Sequence, residues 1–298
     1  MEKRKIRVAI VHNGKNSAGY ALAEKTLTEQ AITELFEPVM FEVVGGNDIE
    51  QVITTYKDGR VDTIVDITNT SNDNQSQEAL DSQWEKALGG NEKGLPMLLT
   101  ENMRMALAKS NTAITTESIV QMVETFHKSL RRDFRISSPR IAILYQTTKT
   151  DKQDDTVVTP AIKQLTEQSI QVFGPYNAGD FFENGRHMEF DGVIATDPQQ
   201  GIMHVNNVAV DDAVRFTTNM PLVRTQPIVQ YKDNDADMED TAMNVLRQAI
   251  YNAIDIVRHR AEYDKPLANP LRKLYKERKD ESEKTRFNIP KKKDQAEN

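Results

Sequence analysis

An α/β fold built on a mostly parallel sheet is predicted by two features of the sequence. Short β-branched runs alternate with helical patterns along most of the chain, which implies crossover connections between parallel strands. In addition, the apolar run Phe190-Asp191-Gly192-Val193-Ile194 opens into the polar segment Ala195-Thr196-Asp197-Pro198-Gln199-Gln200-Gly201, at the strand end where open α/β sheets place their ligands. At 298 residues the chain is long enough for two domains.

The first strand is Ile6-Arg7-Val8-Ala9-Ile10-Val11; it runs into a polar loop from His12 to Gly19, and a helical pattern resumes through Leu22, Ala31, Ile32 and Leu35. A second strand over 39–44 stops at Gly45-Gly46. A short helix carries Ile49 to Tyr56, and 62–67 is a third strand. Residues 68–77 hold no apolar side chain, so they are expected to form a surface connection with a domain crossing near its end. A helix around Trp84 comes next. The runs 95–99 and 103–108, separated by Thr100-Glu101-Asn102, read as a hairpin.

Thr116-Glu117 opens a helix with Ile119, Val120, Val123, Phe126 and Leu130 on one face, closing on Arg131-Arg132 where cations suit the helix dipole. Beyond it the expected order is a strand at 140–144, a helix from Pro160, strands at 171–173 and before Pro198, and a strand at 221–224. A final amphipathic helix runs from Met238 through Leu246, Ile250, Ile254 and Val257. The expected domains are residues 1–78 with 230–280, then 79–229, with a charged, disordered tail at 281–298.

Composition excludes several functions. There is no cysteine, hence no disulfide, thiolate metal site or cysteine nucleophile. The net charge of −7 argues against nucleic acid as a partner. No apolar run reaches the length of a membrane span, and Met1-Glu2-Lys3-Arg4-Lys5 leads into a strand rather than a secretory segment, so the expected location is the cytoplasm.

Neither a Gly-x-Gly-x-x-Gly after a strand nor a phosphate-binding P-loop sequence is present. Gly14 and Gly19 flank Asn16 and Ser17 before a helix; the reading adopted is a tight strand-to-helix turn, the alternative an anion cradle of backbone N-H groups. His12, His127, His187, His204 and His259 show no metal-ligand spacing, and His12 alone stands at a strand end. Asp180, Asp191 and Asp197 lie near strand ends, as acid/base candidates or as caps and turn formers.

The ordered series Phe173-Gly174-Pro175-Tyr176-Asn177-Ala178-Gly179-Asp180-Phe181-Phe182, Phe190 to Ala195, Gln200-Gly201, Phe216-Thr217, Pro221-Leu222-Val223-Arg224-Thr225-Gln226-Pro227, Arg247-Gln248-Ala249-Ile250-Tyr251 and Ala268-Asn269-Pro270-Leu271-Arg272-Lys273 resembles the 4-hydroxythreonine-4-phosphate dehydrogenase (PdxA) family. The resemblance implies a two-domain α/β/α subunit of the isocitrate/isopropylmalate dehydrogenase type, homodimeric, with NAD and a divalent metal in the interdomain cleft. It also implies that the three metal-ligating histidines of that family fall here on Asn111, before an apparent deletion, Lys149 and Pro198. Of the family's substrate positions, the arginine is kept as Arg224. An asparagine has become Arg215, a lysine has become Asn206, and a Gly-His-Thr-Glu segment reads Ala79-Leu80-Asp81-Ser82.

Proline cannot ligate, a charged lysine repels a cation, and asparagine is a poor ligand for such metals. The reading adopted is a relative that keeps the fold without the metal- and NAD-dependent oxidation, with no cofactor expected. It would bind a small phosphorylated metabolite or act as an interaction partner. If Lys149, Arg215 and Arg224 face one cleft, they form an anion site without metal; otherwise they are solvated or ion-paired cations. The alternative is an NAD-dependent oxidoreductase or decarboxylase of altered substrate, using His12, Asp180 or Asp197.

Overall fold

The computed structural model describes residues 4–15, 17–27, 34–43, 46–69, 73–89, 94–110, 112–145, 156–208, 213–228 and 236–268. It divides into two units, Met1–Ala261 and Glu262–Asn298. Within the first unit, strands β1 (Ile6–His12), β2 (Phe36–Glu42), β3 (Thr63–Asp66), β4 (Pro96–Leu99), β5 (Arg104–Leu107), β6 (Arg140–Leu144), β7 (Gln171–Tyr176), β8 (Gly192–Ala195), β9 (Val214–Thr217) and β10 (Arg224–Pro227) form one sheet. Its order is β2-β1-β3-β10-β9-β4-β5-β8-β6-β7.

Pairing is parallel on both flanks and antiparallel in the centre, where β9 opposes β10 and β4, and β4 opposes β5. The two parallel flanks therefore run in opposite directions. Carboxyl ends of β1, β3 and β10 emerge at one edge of the sheet, and those of β5 to β8 at the other.

The helices are α1 (Ala18–Leu27), α2 (Gly46–Lys57), α3 (Asn74–Leu88), α4 (Thr116–Arg132), α5 (Val158–Glu167), α6 (Ala178–Glu183), α7 (Pro198–Val208) and α8 (Ala236–Ala268), with a 3-10 turn at Arg186–Glu189. They cover both faces, because successive strand side chains point to opposite sides and both sides are apolar. Val8 and Ile10 of β1 join the core made with α1, α4, α5 and α8, which continues through Phe216 and Ile141. Ala9 and Val11 point the other way, into a cluster with Ile49, Val52, Ile53 and Trp84 under α2 and α3. On that second face a separate cluster lies under α6 and α7, around Leu98, Met105, Leu107, Phe181 and Val193. One face thus carries a continuous core, and the other carries two apolar clusters.

Several expected boundaries move. Residues 68–77 are not a surface connection throughout: α3 begins at Asn74, with Asn74 and Gln77 buried. Their amide nitrogens meet part of the cost of burial by donating, Gln77 Nε2 to Asn69 O and Asn74 Nδ2 to Glu78 and to the distant Ser110. The strand expected at 221–224 starts at Arg224, and β9 was not anticipated. β2 begins three residues early, at Phe36; it holds Pro38 as an edge strand can. α1 is described over Ala18–Leu27; Ala31 and Ile32 of the expected helical pattern, like the tail at 281–298, lie outside the described residues. Among the described residues no helix is long and apolar enough to cross a membrane.

Candidate functional site

Between the two apolar clusters of the second face, the sheet presents charge. Residues of β9 and β10 alternate, so Val214, Phe216 and Thr225 face the continuous core, where Thr225 Oγ1 donates to Ala249 O of α8. The side chains in between, Arg215, Thr217, Arg224 and Gln226, face α3. The antiparallel register puts Arg215 opposite Gln226, which brings the two arginines to adjacent strands.

Both guanidiniums are buried, Arg215 at 1% and Arg224 at 6% exposure. Burying charge without a partner costs several kcal/mol per ion, so counterions are required. Asp81 of α3 and Asp66 at the end of β3 supply them. Arg215 donates to Asp81 Oδ2 from Nη2 at 2.9 Å and from Nε at 3.3 Å. Arg224 donates from Nη1 to Asp81 Oδ1 at 2.7 Å and from Nε to Asp66 Oδ2 at 2.9 Å. Thr217 Oγ1 adds a bond to Asp81 Oδ1 at 3.3 Å, and Trp84 Nε1 donates to Asp66 Oδ2 at 3.1 Å. The Arg224 guanidinium lies 5.3 Å from the Trp84 ring centre.

Burial alone would raise the Asp81 pKa, but the charges and hydrogen bonds of Arg215 and Arg224 outweigh it and hold the carboxyl below the usual range. Burial would lower the Arg224 pKa, and Asp66 and Asp81 reverse that. Two cations and two anions leave the cluster neutral. Two donors on this face are left over: Arg224 Nη2 and Gln226 Nε2 are buried with no hydrogen-bond partner among the described residues. Beside Arg224 is a cavity of about 10 Å³, lined by Asp81, Trp84, Thr217, Met220, Leu222 and Arg224 among others, with room for about one water.

The remaining sequence candidates do not converge. His12 ends β1 and is buried, its Nδ1 accepting from Gly14 N at 3.0 Å and its ring packing edge-on against Tyr20. Burial lowers its pKa, against the opposing charge of Glu42. Gly14, at φ 114°, forms with Ser17 the tight turn that opens α1. Asp180 follows β7 on α6, whose first turn Asn177 caps. Asp197 follows β8, and its carboxylate accepts from Gln199 N. Asp180 and Asp197 emerge at one edge of the sheet and His12 at the other. β1 and β8 are six strands apart at ~4.8 Å each.

Pro198 is the first residue of α7, a position suited to its fixed φ and missing N-H. Behind it Gly201 lies so close to Met105, Leu107 and Ala195 that an added Cβ would fall 2.6 Å from the Met105 sulfur. The end of β8 is therefore tightly packed. Asn111 and Lys149 lie outside the described residues, as does the side chain of Asn206. Among the described residues no group of three or more His, Asp or Glu side chains is arranged to hold a metal ion. His187 and His204 have ring centres 6.1 Å apart, with His204 stacked on Phe182.

Sequence reasoning picked out Arg215 and Arg224 but not their partners. Asp66 closes a strand and Asp81 sits in a polar helix, and nothing local signals that either contacts a residue more than a hundred positions away.

Residues 47–229 match the model of a family described as pyridoxal phosphate biosynthetic protein PdxA. The 4-hydroxythreonine-4-phosphate dehydrogenase of Bacteroides thetaiotaomicron is 28% identical, over 96% of this chain and 98% of that protein. That alignment runs to 358 positions, more than the 298 residues of this chain, so the relative holds segments that this chain lacks. Among solved structures, a putative 4-hydroxythreonine-4-phosphate dehydrogenase from Salmonella typhimurium superposes with a TM-score of 0.61 at 13% identity, covering 85% of this chain and all (100%) of that one. The Klebsiella pneumoniae 4-hydroxythreonine-4-phosphate dehydrogenase gives the same score and identity, over 84% and 100%. At such identities these structures establish the fold.

Proposed function

Because this chain belongs to the PdxA family, we propose that it is a member that no longer runs the metal- and NAD-dependent oxidation implied by the resemblance, and that it acts through binding or association. The observation that carries this reading is Pro198. At the end of β8, where the resemblance places a ligating histidine, the chain turns directly into α7 on a proline ring that offers no lone pair to a metal. The donor set does not fit a divalent ion, and we assign no step to a metal or to NAD. The substitutions Asn111 and Lys149 support the same reading from sequence.

The other enzymatic reading, a site built from His12, Asp180 and Asp197, draws no support from their placement at opposite edges of the sheet. The reading as a binder of a small phosphorylated metabolite would draw on Arg215 and Arg224, but both already engage carboxylates. Binding there requires displacement of Asp81.

Incubation with NAD, 4-phosphooxy-threonine and Mg²⁺ or Zn²⁺ tests the proposal through NADH absorbance. The expected result is no turnover above the protein-free control. Turnover in the ordinary enzymatic range, about 1 s⁻¹ or faster, would overturn it.

A further inference from the structure

We infer that the Arg215–Thr217–Arg224 surface is a carboxylate-binding site whose resident ligand is the chain's own Asp81. Four donors converge on that one carboxylate. Oδ2 takes Arg215 Nη2 and Nε, and Oδ1 takes Arg224 Nη1 and Thr217 Oγ1, at 2.7 to 3.3 Å. All three donor residues belong to the sheet, on adjacent antiparallel strands, and are fixed by its ladder. The acceptor alone comes from a helix. A rigid wall of donors closing on a single oxyanion is the arrangement by which proteins recognise free carboxylates, and the guanidinium fork suits the two oxygens.

Two further facts distinguish this from an ordinary buried ion pair. Arg224 Nη2 is buried and lacks a hydrogen-bond partner among the described residues, so the wall offers more donors than Asp81 uses. The residues that line the adjoining cavity include Asp81, Thr217 and Arg224. External oxyanions are therefore excluded by occupancy, not by a lack of affinity. The inference stands on this geometry and does not depend on how Pro198 is read.

Removing the resident group should turn the closed site into an open one. Asp81→Ala deletes the carboxylate, which formate replaces in size and charge; Asp81→Gly deletes the methylene as well, leaving space for acetate. Each variant is expected to melt about 10 °C below the wild type, because two buried guanidiniums lose their shared counterion. Most of that loss should return, saturably, with formate for the alanine variant and with acetate for the glycine variant. A bulky sulfonate at equal ionic strength should restore little, and the wild type should show no saturable response to formate, acetate or inorganic phosphate. The inference fails if the folded variants ignore the small anions, if the sulfonate restores them equally, if the wild type responds as the variants do, or if neither variant folds with or without its anion. None of these readouts involves NADH, so the result is separate from the turnover assay.

Discussion

His204 illustrates how a single side chain sets the acid response of its surroundings. Burial, helped by the neighbouring His187, lowers its pKa to about 4 from the ordinary 6.5, so the fold favours the neutral ring stacked on Phe182. A group depressed in the folded state contributes stability that is full above its unfolded pKa and is lost as pH falls through the folded value. The window is therefore pH 6.5 down to about 4. In urea titrations across that window, the wild type should lose stability more steeply than His204→Gln, and equal slopes would refute the assignment. Asp81 works the same way at lower pH: its depressed pKa means that the buried network survives until the pH drops below the usual carboxylate range. His127 and His12, both lowered by burial, add to the same acid limb.

At the scale of elements, α4 shows what a sequence makes legible. Thr115 caps it by accepting from Ser118 N, and the Ser118 hydroxyl oxygen in turn accepts from the Thr115 backbone N-H, a reciprocal capping box. Ile119, Val123, Phe126 and Leu130 then fall on the buried face at helical spacing. Thr115→Ala should lower the denaturant midpoint by an amount equivalent to about 1 kcal/mol, with the slope m unchanged because the same surface is exposed on unfolding. Thr115→Ser, which keeps the acceptor, should lose much less. Local signals of this kind also revealed the hairpin of β4 and β5 and the strand β6. They failed at β9, because an arginine in the middle of Val-Arg-Phe-Thr reads as exposed until a counterion from another element is known. They failed likewise at Asn74 and Gln77, whose burial depends on partners the local pattern does not reveal. The alternation of strands and helices foretold the parallel flanks; the antiparallel pairing of β9 with β10 and β4 depends on strand order, which periodicity does not encode.

Across the whole first unit, a second buried ion pair fastens the long helix to the rest. Arg260 of α8 donates to Asp133 Oδ1 at 2.7 Å, while its Nη1 reaches Met220 O at 2.8 Å, and Ser129 Oγ also donates to Asp133. One guanidinium thereby joins α8, the C-terminal cap of α4 and the turn between β9 and β10. Arg260→Met should cost about 3–5 kcal/mol by stranding the Asp133 carboxylate, measured by equilibrium unfolding. Replacing both partners, with Asp133→Leu added, should recover much of that loss. A double variant no more stable than the single one would show that the backbone carbonyl contacts, not the charge pair, dominate.

The order of strands also constrains how the molecule is made. β9 and β10, residues 214–227, are inserted between β3 and β4, which are completed by residue 99. As the chain is synthesised, β3 and β4 each wait with an unpaired edge while more than a hundred residues emerge. Unpaired edges of this kind are templates for pairing with other chains. The middle of the sheet, laid down last, therefore decides whether a nascent chain closes on itself or joins a neighbour.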